Sequence, residues 1–456
     1  MQKFIFRTGI VTYFLLLVLA WIYYVERTTF LDSAFHLFYI IKDGDFTIQN
    51  FRFGAFITQS FALVPVKAGL DLSTVMRLYS IGFVIYYFVI FVVITKILKS
   101  YKWGLALILL NILMVNHTFY WMLSELPQGI AVMLLYFAII SKLPDRSTKY
   151  DWIIFPLLAF MIIALVFYHP LMLFPFLFTS LFVYWQKPHL RTYIKGGVLL
   201  FILVLGMKSL FFNTAYESNA TGKVKNFISF FPDYFSLKSN KIFLTTLFKE
   251  YYMLVILLII LIVAYLKRRK YKELAFVLFA FLAYMLLVNI SYPDGADRFY
   301  IENLYLPLSV FVIIPFVTDR YFYGLPYFKV FIILLISIRI FHIAYTHKFY
   351  TARITYLKDY LKKTEALPQK KQVISKKYFP MDTLVMFWAS PYEFWLLSTY
   401  QGGDTRSILI TDDLPSRYWL KGYNKKFITT WEAVDYGELP KRYFPLRDTS
   451  YYDFRE

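Results

Sequence analysis

Hydrophobic residues run in long, nearly continuous stretches that short polar segments separate. A helix rises about 1.5 Å per residue, so roughly 20 apolar residues cross the hydrocarbon core of a bilayer, which is about 30 Å thick. Because these stretches are continuous and not alternating, they predict helices and not the strands of a barrel. The predicted spans are residues 8–25, 78–95, 103–118, 127–141, 152–168, 170–185, 196–212, 251–266, 274–290, 303–318 and 328–345.

Two segments of the N-terminal part allow more than one interpretation of how they relate to the membrane. The first span lacks a small-residue cleavage site and continues into the aromatic run at 21–24, so we expect an anchor and not a removable signal peptide. Residues 53–70 are apolar enough to form a weak further span, but Gln59, Pro65 and Lys67 interrupt them. We predict a re-entrant helix or an amphipathic helix that lies in the interface there.

Lysine and arginine concentrate in short loops, which marks those loops as cytoplasmic. The N-terminus is then inside, and the first outer loop, residues 26–77, is long. This pattern predicts an integral membrane protein, and we expect it in the cytoplasmic (inner) membrane of a bacterium. The inner segments are 1–7, 96–102, 142–151, 187–195, 267–273 and 319–329, with basic clusters such as Lys142, Arg146 and Lys149.

After Tyr345 the composition becomes polar and basic. The stretch ITYLKDYLKKTEAL predicts a surface helix, and KQVIS, TLVMFW and RSILIT predict short strands between loops. We therefore expect two domains, a polytopic domain over 1–345 and a C-terminal domain with a basic linker helix over 346–456. The predicted fold is an all-α polytopic membrane protein of about eleven transmembrane helices with a small α/β or α+β extracytoplasmic domain.

Composition supports the membrane assignment. Of 456 residues, 59% are hydrophobic and 17% are charged, whereas soluble domains average about 45–50% and about 25%. The net charge of +20 follows from the basic inner loops, so we expect no nucleic acid partner. The chain has no Cys, which excludes disulfides, thiol catalysis and Cys-ligated metals.

Asp32 and His36 are the first candidates for chemistry. They lie four residues apart, on one face of a helix that follows the first span. Such a pair could orient a catalytic base or bind a divalent metal, although the same spacing is common by chance. Asp32 could equally be the N-cap of an interfacial helix, because Asp is favoured at that position. No other cofactor is indicated.

The first outer loop carries an ordered series of short motifs. This series resembles the first loop of the C-type glycosyltransferase (GT-C) superfamily, especially its protein mannosyltransferase and aminoarabinose transferase branches. There an acidic residue follows the first span, and a Gly-Asp-aromatic step, an amphipathic helix and an arginine before the second span come next. The resemblance covers residues 1 to about 185 and rests on Asp32-Ser-Ala-Phe-His36, Lys42-Asp-Gly-Asp-Phe46, Phe53-Gly-Ala-Phe-Ile-Thr-Gln59, Gly69-Leu-Asp71 and Met76-Arg77-Leu78.

The resemblance implies a role for two carboxylates. Asp32 would be the catalytic base that takes the proton of the acceptor hydroxyl, but the second acid that usually follows it is absent, since position 33 is Ser. Glu125 falls where the superfamily often carries a second loop carboxylate. The alternative for Glu125 is an ordinary acid in the first turn of the next helix, near the positive end of the helix dipole.

The resemblance also implies a site for the donor phosphate. His169 lies where related transferases carry a lysine that faces the lipid phosphate, and Arg298 with Tyr300 resembles an arginine–tyrosine step at the start of a late span. Arg77 is a further candidate. The alternatives are a histidine held by the turn at Pro170 and arginines that anchor at the headgroup level, which we favour for Arg77.

These features predict a glycosyltransferase that uses a polyprenyl-phosphate-linked sugar and a glycan, lipid or protein acceptor on the extracytoplasmic side, with inversion of the anomeric centre. Three alternatives stay open: a flippase or transporter of lipid-linked sugars, a polymerase or ligase of oligosaccharides, and a membrane scaffold without enzymatic activity. A transporter would be expected to show repeats and midplane charges. The sequence has no evident repeat.

Overall fold

The apolar stretches fold into helices, and each of the predicted spans overlaps one. The computed structural model describes residues 1–122, 125–143, 151–212, 214–365, 367 and 369–455, so the predicted inner residues Arg146 and Lys149 lie outside the described part. The α-helices of the N-terminal half are α1 Gln2–Ile22, α2 Tyr24–Thr29, α3 Asp32–Asp43, α4 Phe56–Lys67, α5 Leu72–Val92, α6 Tyr101–Leu113, α7 His117–Tyr120, α8 Glu125–Ile140, α9 Asp151–Tyr168, α10 Leu173–Gln186 and α11 Arg191–Phe211.

The second half is also mainly helical, with two small sheets near its end. Its helices are α12 Ala215–Gly222, α13 Asn226–Ser229, α14 Lys238–Glu250, α15 Tyr252–Lys267, α16 Tyr271–Ser291, α17 Arg298–Thr318, α18 Arg320–Tyr323, α19 Phe328–Lys363, α20 Met381–Leu384 and α21 Ser390–Thr399. Its strands are β1 Lys371–Ser375, β2 Ser407–Thr411, β3 Lys426–Ile428, β4 Ala433–Asp435 and β5 Asp453–Arg455.

In the described part of the chain, six helical segments are long and apolar enough to cross a membrane, or seven if α14 and α15, which meet at a 90° bend, form one broken span. The described part of the chain is therefore mainly helical and has several helices of the length and composition of membrane spans. The expected number of eleven spans stays a prediction, because four further apolar helices are shorter. The six are Gln2–Ile22, Leu72–Ile97, Pro188–Phe211, Tyr271–Ser291, Arg298–Thr318 and Phe328–Lys363, and the shorter ones are Tyr101–Leu113, Glu125–Ile140, Trp152–Tyr168 and Pro170–Gln186.

The segment 53–70 forms a 3₁₀ turn followed by α4, which has 12 residues. A helix of that length extends about 18 Å, which is too short for the bilayer core. It packs tightly along α5, since a Cβ on Gly82 would lie 2.3 Å from the Phe61 ring. The close contact between these two antiparallel neighbours fixes the fold of the first loop against the helix that follows it.

The change of composition after Tyr345 falls within a single helix. Helix α19 runs without a break through residue 345, so the expected domain boundary falls inside a helix of 36 residues. The three-stranded sheet has the order β2-β1-β5 with parallel pairs, and β3 pairs antiparallel with β4. KQVIS and RSILIT form β1 and β2 as predicted. The strand predicted for TLVMFW is wrong, because α20 ends there and Val385 takes a positive φ of 63°.

A buried ion pair joins the C-terminal part to the helical core. Arg353 of α19 binds both carboxylate oxygens of Glu393 of α21 at 2.8 Å, and each side chain is only 1% exposed. The guanidinium also donates to the backbone oxygens of Leu384 and Met386. Every charge in this cluster is thus compensated, which a buried ion pair requires.

Replacing Glu393 with Gln should destabilise the protein strongly, because Arg353 would keep its charge in an apolar environment. We expect a loss of about 3–5 kcal/mol in the free energy of unfolding, visible as a lower thermal midpoint of the purified protein. The matched control is Asp435→Asn, which breaks the exposed Lys426–Asp435 pair at 3.4 Å and should change stability by no more than about 1 kcal/mol. Equal effects of the two substitutions would contradict this expectation.

Candidate functional site

Asp32 lies at the turn between α2 and α3 and is the first residue of α3. The preceding Leu31 has a positive φ of 44°, a sparsely populated conformation that costs about 1–3 kcal/mol. Its N–H donates to Glu393 Oε1 at 3.0 Å, which stabilises the turn from the C-terminal part of the chain. Leu31 is the N-cap residue of α3, so the capping alternative does not describe Asp32.

Trp121 holds the carboxylate of Asp32. Its indole Nε1–H donates to Asp32 Oδ2 at 2.7 Å. The same ring contacts Phe299 and Tyr300 of α17, with centroids 5.0 and 5.1 Å away. Trp121 therefore links the first loop to the start of α17, where Arg298 lies.

Glu125 is the first residue of α8 and forms an ion pair with Arg52 of the first loop. Arg52 Nη1 donates to Glu125 Oε2 at 3.0 Å, and the two side chains are only 14% and 10% exposed. Both Glu125 and Arg52 lie within electrostatic range of Asp32. The two carboxylates predicted from the sequence are thus brought together, with one arginine between their segments.

The environment of Asp32 suits a base. Burial raises the pKa of Asp32 to about 6; the Trp121 hydrogen bond opposes the rise, and the negative charge of Glu125 adds to it. Arg52 lowers the value slightly. A carboxylate with a pKa near 6 is largely ionised at neutral pH and still basic enough to accept a proton in a reaction.

His36 has a structural role in this arrangement. Its Nδ1 lies 3.3 Å from Gln59 Nε2, and the Gln59 amide also forms two 2.8 Å hydrogen bonds with the backbone of Thr47. Burial, with a smaller contribution from the charge of Arg52, lowers the pKa of His36 to about 4. His36 is therefore neutral at physiological pH and helps to fix the first loop on α4.

No metal site emerges around Asp32 and His36. In the described part of the chain, no three His, Cys, Asp or Glu side chains come close enough together to hold a metal ion. The nearest carboxylate partner of Asp32 is Glu125, which Arg52 already neutralises.

His169 precedes a 3₁₀ turn that begins at Pro170. Its Nδ1 accepts a hydrogen bond from the Leu171 N–H at 3.1 Å, which fits the alternative of a histidine held by the turn. Burial, with the charges of Arg52 and Lys208, holds the pKa of His169 well below its usual range. His169 is thus neutral and near Arg52, and only its Nε2 can donate to a ligand.

The two arginines predicted to bind phosphate lie in different surroundings. Arg298 is the first residue of α17; its side chain is 64% exposed and lies 3.7 Å from Glu250. Arg77 of α5 stacks between aromatic rings, 5.3 Å from the Trp21 centroid and 4.7 Å from that of Tyr24. The contacts of Arg77 fit the anchoring alternative, whereas Arg298 is accessible to a ligand.

Sequence reasoning missed Arg52, Trp121 and Tyr79. Arg52 is the one cation between Lys42 and Lys67, a signal that could have selected it. Tyr79 of α5 is fully buried within electrostatic range of both carboxylates, and its hydroxyl has no hydrogen-bond partner in the structure. A buried polar group without a partner is unusual, which makes this hydroxyl a candidate contact for a ligand.

The cavity beside Trp121 is small. It has a volume of about 60 Å³ and is lined by Arg27, Tyr87 and Trp121 among others. Pockets that enclose small molecules measure about 300–1,000 Å³. A sugar therefore does not fit into this cavity, and neither Asp32 nor Arg298 lines it.

Comparison with protein-family models, with curated proteins and with solved structures finds no match for this chain. The functional argument therefore rests on the geometry of the site and on the resemblance of the first loop.

The Asp32–Trp121 hydrogen bond should be visible in a pH titration of tryptophan fluorescence. Protonation of Asp32 removes the acceptor charge beside the indole, so we expect a transition with a midpoint near pH 6. The chain has nine Trp, so the informative quantity is the difference between the native protein and each of two variants, Asp32→Asn and Trp121→Phe. Both variants should lack the transition. A transition that persists in Asp32→Asn would assign it to another group.

Proposed function

We propose that this chain is an integral-membrane glycosyltransferase that moves a sugar from a polyprenyl-phosphate donor to an acceptor hydroxyl on the extracytoplasmic side of a bacterial cytoplasmic membrane. The acceptor is a glycan, a lipid or a protein. The observation that carries the proposal is the convergence of Asp32, Glu125 and Arg52 from separate segments, with the pKa of Asp32 raised to about 6.

In the proposed reaction, the acceptor oxygen attacks the anomeric carbon while Asp32 takes the proton of the acceptor hydroxyl. The bond between the anomeric carbon and the phosphate oxygen breaks, and its electron pair leaves with the polyprenyl phosphate. Attack from the side opposite the leaving group inverts the anomeric centre. A positioned general base contributes about 10²–10⁴-fold to such a reaction. Trp121 keeps the Asp32 carboxylate in place.

The leaving phosphate needs cationic partners. Arg298 is exposed at the end of α17 that contacts Trp121 through Phe299 and Tyr300, and Arg52 lies beside Glu125. A guanidinium matches the geometry of phosphate oxygens and stays charged at all relevant pH values. We assign Arg298 to the phosphate and Arg52 to the alignment of the two carboxylates, with Glu125 as the counter-charge that holds Arg52.

The placement of polar residues favours an enzyme over a transporter. A transporter is expected to place its binding groups near the middle of the membrane, at broken helices. Here Asp32 and Arg298 are first residues of helices, and Glu125 is another. These helix starts meet at one end of the spans, as a site that serves one side of the membrane requires.

Asp32→Asn should abolish transfer, because the amide cannot accept the acceptor proton. The assay uses the full chain in liposomes, a panel of polyprenyl-phosphate sugars that includes monosaccharide and oligosaccharide donors, and product detection by mass spectrometry. The native rate should fall below pH 6 as Asp32 protonates. The control is Asp43→Asn. Asp43 is an exposed carboxylate of the same loop that pairs with the neighbouring Lys42 at 3.2 Å, and this variant should retain activity. Full activity of Asp32→Asn would overturn the assignment.

The stability of Asp32→Asn supplies an independent check. Because the folded pKa of about 6 exceeds the ordinary value of 3.8, the folded state favours protonated Asp32. Its contribution to stability is present at low pH and is lost as the pH rises from about 4 to about 6. The thermal midpoint of Asp32→Asn at pH 7.5 should therefore equal or exceed the native one. A lower midpoint would point to a structural role.

Arg298→Gln should weaken donor binding. Loss of one exposed charged contact to phosphate is expected to raise KM for the donor roughly tenfold, since a charged hydrogen bond contributes about 1.5–3 kcal/mol, while the thermal midpoint stays unchanged. The matched control is Arg447→Gln in the C-terminal part, where the side chain is 80% exposed. Unchanged KM in both variants would remove Arg298 from the donor site.

A further inference from the structure

A second cavity lies at the opposite end of the helices. It has a volume of about 600 Å³ and is lined by residues at the start of α1, such as Gln2, and at the ends of α10 and α17, Gln186 and Thr318. Helix α17 has 21 residues, so about 30 Å separates Thr318 from Arg298 at the candidate site. The cavity therefore faces the other surface of the membrane.

The wall of this cavity is strongly basic, and we call it the basic cavity. Among the described residues that line it there is no Asp or Glu. Of the nearby acids, Asp319 already binds Arg268 at 2.6 Å and Lys270 at 2.8 Å. The cationic side chains that line the basic cavity are Lys99, Lys102, Lys142, Lys187 and Arg320.

The cations come close to one another. Lys102 lies within electrostatic range of Lys187 and Arg320, which α10 and α18 bring to the same opening. Lys102 Nζ donates to the Thr318 backbone oxygen at 2.8 Å, which leaves two of its N–H groups for other partners. Like charges repel, so a bound anion would stabilise this arrangement.

An orientation signal alone does not account for the basic cavity. The rule that places Lys and Arg on the inner side asks only for exposed loop charges, whereas these residues surround a concave space. The backbone also departs from regular geometry at Lys99, which lines the cavity, and just before it. Residues Val93–Ile97 make a π-helical turn, and Lys99 follows with a positive φ of 50°. Such departures concentrate at functional sites.

The remaining wall is apolar and suits a lipid. Ile5, Trp103, Val183 and Leu190 line the same space, so a ligand would meet cations at one part and hydrocarbon at another. We propose that the basic cavity binds the headgroup phosphate of an anionic phospholipid from the leaflet opposite the candidate site, with part of its acyl chain along the apolar wall. Basic pockets between spans on the cytoplasmic side recognise such headgroups.

The test measures binding of phosphatidylglycerol to the full purified chain in neutral detergent by native mass spectrometry. Phosphatidylcholine and inorganic phosphate are tested in parallel. We expect one molecule of phosphatidylglycerol to bind saturably. The double variant Lys187→Gln/Arg320→Gln should lower its affinity about 30-fold, because each cation near a membrane surface contributes roughly fivefold. Lys187→Arg, which keeps the charge, should retain binding and so exclude simple loss of fold.

The matched control is Lys267→Gln/Lys272→Gln, which removes two exposed charges outside the basic cavity on the same side. It should bind phosphatidylglycerol as the native protein does. An equal loss in this control would assign the effect to general surface charge and overturn the proposal. Equal binding of phosphatidylcholine, or binding of inorganic phosphate that blocks the lipid at similar concentration, would overturn it too, because the site would then not select an anionic lipid.

Discussion

The arrangement of the candidate site depends on the hydrogen bonds that the carboxylate of Glu393 accepts. It accepts hydrogen bonds from Arg353 on both oxygens and from the Leu31 N–H. It thereby joins α19, the C-terminal part and the turn that precedes Asp32. The turn has a strained φ at Leu31, and a strained residue persists only where its surroundings hold it. The position of Asp32 thus depends on a residue that lies 362 positions after Leu31 in the chain.

Sequence predicts the parts of the fold that local composition determines. Apolar stretches had to become helices, because an apolar environment leaves no other partner for the backbone. A helix was predicted at ITYLKDYLKKTEAL, but its continuity with the last apolar stretch in α19 was not, because a change from apolar to polar composition marks the end of a membrane segment and not the end of a helix. The strand at TLVMFW was predicted from β-branched and aromatic residues. The segment instead forms a turn at Val385, since strand preference depends strongly on tertiary context.

The candidate site shows the same difference between local features, which a sequence reveals, and long-range contacts, which it does not. Asp32 and Glu125 could be found because carboxylates next to apolar spans are rare and visible in a sequence. Their partners could not, since Trp121 lies 89 positions from Asp32, and Arg52 lies 73 positions from Glu125. No local pattern encodes such contacts. The charge of the hydrogen-bond partner affects the pKa of Asp32. A neutral indole leaves Asp32 able to accept a proton, whereas an arginine as direct partner would hold its pKa low.

The buried arginines clarify which cations remain for a ligand. Arg27 donates to the backbone oxygens of Ser80 and Phe119, and Arg339 donates to those of Ile112 and Glu250, the latter at the 90° bend between α14 and α15. Arg353 donates to the oxygens of Leu384 and Met386 after α20.

All three arginines donate to backbone oxygens. An interrupted helix leaves carbonyl groups without partners, which is costly away from water, and a guanidinium offers five N–H donors in one plane. Arg339 and Arg353 therefore serve carbonyl groups beside helix ends, at Glu250 and Leu384. Arg298 stands apart from them, since its side chain is mostly exposed and meets only Glu250 at 3.7 Å among its ion-pair partners in the described chain. This difference is the physical reason for proposing Arg298, and not one of the buried arginines, as the contact of a donor phosphate.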